Sequence, residues 1–157
     1  MTDARFQDGG EGPLRLIAQD AEDLKVISTL VQDAVLPVTE MTFDARRRRF
    51  ALFLNRFRWE DRAEAEAVGR AYERVRSLLL VEDVRRVHSF GFDRADKDLV
   101  LSLLSLDFAP GDDGTGRLTL TLAGDGAIAL EVEALEVRLD DVTRPYRAPS
   151  GRVPRHD

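Results

Sequence analysis

Apolar and polar residues alternate along much of this chain, and a period of two marks strands with one buried face. Leu118, Leu120 and Leu122 alternate with Arg117, Thr119 and Thr121, and after Asp125-Gly126 the pattern returns as Ile128, Leu130 and Val132. The spacing predicts a β-hairpin turning at Asp125-Gly126, where glycine tolerates a positive φ. Val38–Phe43 and Phe50–Leu54 read as a second pair of strands across a polar connection. Arg74–Phe92 reads as extended with a break near Glu82-Asp83. Leu99, Leu101 and Leu103 lie on one strand face, then the parity shifts to Leu104, Leu106 and Phe108. A slip of one residue predicts a β-bulge near Leu103.

One segment has helical period. Asp20 is a suitable N-cap, Glu22 and Asp23 suit the positive end of a helix dipole, and Leu24, Ile27, Val31 and Ala34 follow on one face. Pro37 forbids continuation. Leu14, Leu16 and Ala18 before it fit a short strand. Two stretches stay open: 61–72 fits a helix or a loop, and 133–142 fits a short C-terminal helix or a strand.

The expected fold is therefore α+β. A mostly antiparallel sheet of about seven strands, strongly curved or closed as a split barrel or roll, packs on one N-terminal helix, with a short C-terminal helix in addition if 133–142 is helical. The 157 residues suffice for one core. We divide them into a lead-in (1–13), one domain (14–142) and a Pro/Arg-rich tail (143–157). Within the domain, a shift of 49 residues superimposes 35–57 on 84–106, with Phe43-Asp44 falling on Phe92-Asp93. That match suggests a duplicated strand–loop–strand unit.

A net charge of -6 argues against a nucleic-acid partner. The lack of cysteine excludes disulfides and thiolate chemistry. No apolar run approaches the roughly 18 residues of a membrane span, so a cytoplasmic protein is expected.

Three features are candidates for chemistry. Arg46, Arg47, Arg48 and Arg49 suit a phosphate or an acidic partner, or are a solvated hairpin tip. His88, beside Arg85 and Arg86, is the one candidate base in the domain, though a lone strand histidine is more often structural. His156 in the tail is weaker. Asn55, Arg56, Trp59 and Glu60 interrupt an apolar strand, either as a recognition surface with an aromatic anchor or as an edge that discourages aggregation. Asp112-Asp113-Gly114 lacks the spacing of a calcium loop. No metal or cofactor is expected.

The stretch Arg49-Phe50-Ala51-Leu52-Phe53-Leu54-Asn55-Arg56-Phe57-Arg58-Trp59-Glu60 resembles the signature of domain-of-unknown-function family 2948, a bacterial and mainly alphaproteobacterial family. Asp20-Ala21-Glu22-Asp23-Leu24 and Leu101-Ser102-Leu103-Leu104 are similar to it in order and spacing. The resemblance covers about 14–142 and implies a bacterial cytoplasmic protein. It transfers no catalytic residue, and residues 62–69 look like an insertion. The function expected is a non-enzymatic module for a protein partner or a small anionic ligand. The alternative is a small enzyme that acts on an anionic substrate through His88 and nearby arginines.

Overall fold

Asp20 starts the first helix: its Oδ1 accepts the Asp23 amide at 2.8 Å. That helix and the strands around it belong to a computed structural model, which describes residues 12–147. The chain runs β1 (Arg15–Ala18), α1 (Ala21–Val31), β2 (Val35–Pro37), β3 (Met41–Asp44), β4 (Arg49–Phe57), α2 (Arg62–Val68), β5 (Glu73–Val81) and β6 (Val84–Phe90). It continues with β7 (Val100–Pro110), β8 (Gly116–Leu122), β9 (Ala127–Val132), β10 (Val137–Asp141) and β11 (Tyr146–Arg147).

All the strands pair antiparallel, in the order β1-β10-β5-β4-β2-β7-β8-β9-β6, with β3 beside β4 and β11 beside β5. This corrects the expected architecture. There are 11 strands among the described residues, not about seven, and the fold is mostly β. The sheet is open, ending in β1 and β6, so it does not close as a barrel or roll. β2 and β11 have three residues or fewer, too short for a period of two to register, whereas the short strand expected at Leu14–Ala18 is present as β1. No helix forms in 133–142. Val137 and Leu139 of β10 face the core while Arg138 points away, and period two wins there. A second helix, α2, occupies the undecided stretch, and Gly69 ends it in the left-handed region at φ 69°.

Leu24, Ile27, Leu30 and Val31 of α1 are buried with Leu36, Leu52, Leu54, Leu79, Leu101 and Leu103 of the sheet. The helix ends at Val31, well before Pro37, because Asp33 turns left-handed at φ 63° and its amide donates to the Leu103 carbonyl at 2.7 Å. Leu103 N–H in turn donates to Ala34 O at 2.8 Å. The bulge foreseen near Leu103 is present, as a register shift between Leu103 and Ser105. It lies where β7 changes partner from β2 to β8. The β8–β9 hairpin forms, but its positive φ angles fall on Gly124 and Asp125 rather than on Gly126.

The two matched segments pair differently. β3 pairs with β4, whereas β6 pairs with β9 and β7 with β2 and β8, so 84–106 is not a second strand–loop–strand hairpin. Shared alternation made the match. The expected tail begins with a strand, β11, while 1–11 and 148–157, His156 included, lie outside the described residues.

Candidate functional site

The predicted residues separate into two places, one consumed by the fold and one at the surface. Arg56 points to the inner face of β4, level with Leu52 and Leu54, and is wholly buried. Its Nη1 and Nη2 donate to the two Glu60 oxygens, each at 2.8 Å, in a bidentate fork. Nη2 also reaches Asp141 Oδ1 at 3.0 Å, and Nε reaches Ser77 Oγ at 3.2 Å. Ser77 donates to Asp141 Oδ1 at 2.7 Å, and Asp141 Oδ2 accepts the Leu14 amide at 3.0 Å. Burial alone would lower the Arg56 pKa, but Glu60 and Asp141 outweigh it and the guanidinium is held above its ordinary value. This is a fixed charge with its donors in use. It binds strands β4, β5 and β10 together and offers nothing to a ligand.

A second group of charges adjoins it. Arg58 pairs with Glu73 and lies 3.5 Å from Asp61 Oδ2, and Arg70 bonds Asp61 Oδ1. The Arg70 hydrogen bond, aided by the charge of Arg58 and opposed by burial, holds the Asp61 carboxyl below the usual carboxylate range.

Trp59 is not an exposed anchor. Its Nε1 donates to Gln32 O at 3.0 Å, and its ring meets Phe57 edge-on at 4.7 Å. Asn55 lies on the outer face of β4 and accepts from the Tyr146 hydroxyl. It lines an open cleft of about 400 Å³ with Val35, Pro37, Phe53, Arg76 and Val100. The polar groups of that cleft are already engaged: Arg76 stacks over Phe53 at 4.7 Å and bonds Glu40 at 3.1 Å.

The surface group gathers the remaining predicted residues. Asp44 Oδ1 accepts the Arg47 amide at 3.2 Å and folds the tip between β3 and β4. Arg48 there takes φ 56°. Its carbonyl accepts the Val84 amide at 2.8 Å, which fixes the arginine-rich tip to the start of β6. Arg48 and Arg85 both pair with Glu133, just past the end of β9, the latter at 3.8 Å, and Arg49 pairs with Glu82 at 2.7 Å. Arg86 sits across from Glu131 in the ladder. His88 Nε2 lies 2.8 Å from Glu131 Oε2, and its ring stacks near Phe90 at 6.4 Å. The His88 hydrogen bond lowers the Glu131 pKa. Arg46 has no ion-pair partner among the described residues.

Arg46, Arg47, Arg48, Arg49, Arg85 and Arg86, with Arg117 across the ladder from Glu131, thus lie beside Asp44, Glu82, Asp83, Glu131 and Glu133, in a chain whose total charge is -6. Seven cations against five anions leave a local excess of positive charge on this surface. Sequence reasoning named both halves, Arg46–Arg49 and Arg86 with His88, without foreseeing that they meet. It missed Asp141, which reads as a terminal charge and lies 85 positions from Arg56.

His88 does not converge with Arg56, since β2, β7, β8 and β9 stand between their strands in the sheet. Among the described residues no group of three or more His, Cys, Asp or Glu is placed to hold a metal ion. No helix there is long and apolar enough to cross a membrane.

No curated protein and no solved structure matches the chain. The family model described as protein of unknown function (DUF2948) matches residues 14–156, and the chain belongs to that family.

Proposed function

We propose that the protein is a non-enzymatic binding module whose basic surface, made of the β3–β4 tip and β6, recognises an acidic partner protein. The observation that carries this reading is the Val84–Arg48 backbone hydrogen bond, which makes one surface of two arginine clusters. Arginine suits the task because its planar fork meets carboxylates two bonds at a time. A local positive field on a negative molecule orients an approaching acidic partner and speeds the encounter. The reading also assumes a bacterial cytoplasm, on the ground of the family resemblance.

The enzyme alternative finds less support. His88 has a carboxylate partner in Glu131, as a base would need, but it lines none of the clefts at Asn55, Arg58 or Arg15.

The test is a titration of the whole chain with an acidic peptide at two salt concentrations. The pair Arg47→Glu and Arg86→Glu should weaken binding at least about tenfold, and salt should weaken wild-type binding. Equal binding by wild type and the double variant would refute the reading. Both positions are exposed, and a glutamate at 86 opposite Glu131 costs up to about 1 kcal/mol, so a melting temperature lowered by only a few degrees separates loss of binding from loss of fold.

A further inference from the structure

The basic surface ends in an open sheet edge. β6 is the last strand of the sheet and pairs with β9 alone. Its Val84 amide is taken by Arg48 O, and beyond Val84 no backbone group of β6 has a partner outside β9 among the described residues. The strand has seven residues, Val84–Phe90, without proline. It spans about 23 Å, long enough to hold another strand by several rungs. At the opposite end, β1 has only four residues.

An unpaired edge of this length is a template for any extended chain, and proteins commonly blunt such edges with charge. The charge here is of one sign, from Arg85 and Arg86 in the first half of the strand. Two copies of β6 set edge to edge would bring four arginines onto one short ladder, so the edge repels itself. The same side chains attract a strand carrying carboxylates, and the selection is made by repulsion and attraction together. Phe90, half exposed at the end of the strand, adds an apolar contact for one side chain of the incoming segment.

We infer that an extended acidic segment of a partner protein adds to the free edge of β6 as the next strand, its carboxylates directed to Arg86, His88 and the tip arginines. Main-chain bonds hold such a segment, and charge chooses it. This inference rests on the reading of the basic surface given above, but concerns the mode of binding rather than its place.

The experiment uses the full chain and a blocked seven-residue peptide of alternating glutamate and threonine, with two N-methylated versions. In one version the alternate amides of one parity are methylated, and in the other those of the opposite parity. Only one parity can face β6, so one methylated peptide should bind at least about tenfold more weakly and the other within about twofold of the parent. Amide exchange in residues 85–90 should slow when the parent peptide is bound.

If both methylated peptides bind like the parent, yet Arg47→Glu with Arg86→Glu still abolishes binding, strand addition is overturned and the basic-surface reading stands. If the parent peptide does not bind, both fail. If a single-stranded oligonucleotide of equal charge binds more tightly and displaces the peptide, the partner is a nucleic acid and the inference is overturned.

Discussion

Arg56 and Asp141 meet inside the protein, Nη2 to Oδ1 at 3.0 Å, from strands separated by 85 positions in the chain. β5 lies between those strands and contributes Ser77 to the contact. Replacing Arg56 by methionine keeps much of the volume but leaves Glu60 and Asp141 buried without their cation. Breaking a buried pair this way costs about 3–5 kcal/mol. Urea denaturation of Arg56→Met should show that loss. A midpoint equal to wild type would mean that the network contributes no net stability.

Trp59 supports the end of α1 through Gln32 O and packs on Phe57. Trp59→Ala should therefore lower stability by about 3 kcal/mol, the scale for truncating a large aromatic. Binding of an acidic peptide, measured where the variant is still folded, should be unchanged. A loss of binding without a loss of stability would return Trp59 to the interaction surface.

These two residues show where the sequence was legible. Parity placed Leu52, Leu54, Leu118 and Leu120 in the core correctly, and a parity slip located the bulge at Leu103. Those signals are local, because neighbouring side chains in a strand alternate faces. Arg56 breaks the apolar run at a position whose parity is inward, so its burial could have been inferred from β4 alone. Its partner could not. Asp141 reaches it only through the β10–β5–β4 pairing, a long-range fact that no local pattern encodes. The same holds for the basic surface: each arginine cluster is visible, but the Val84–Arg48 bond between them belongs to the tertiary fold. The misread repeat shows the converse, for alternation alone cannot say which strand pairs with which.

Asp61 should make stability fall in acid. Its carboxyl is held below the ordinary value, chiefly by the Arg70 hydrogen bond and against the effect of burial. A carboxyl depressed in the folded state contributes its full stabilisation above its unfolded value, about pH 4. That contribution fades as pH falls from there through the lower folded value. Urea midpoints from pH 7 to pH 2 should therefore drop more steeply for wild type than for Asp61→Asn, and the two curves should draw together in acid. Parallel curves would contradict the assignment.

Gly116 sits where β7 and β8 approach closely, opposite Pro110 and beside Phe108. A Cβ there would lie 2.5 Å from the Phe108 ring and 2.6 Å from the Ala109 carbonyl oxygen. The first contact could be relieved by moving a side chain, but the second is with main chain in the same ladder. Gly116→Ala must therefore shift the end of the β7–β8 pair, and overpacking of this kind costs about 1–3 kcal/mol. The change lies in the ladder itself, so amides of Ala109 and Arg117 should exchange faster while those of β4 and β5 stay protected. Wild-type stability with unchanged exchange would show that the strands separate there at no cost, and the close approach would then not be what requires glycine.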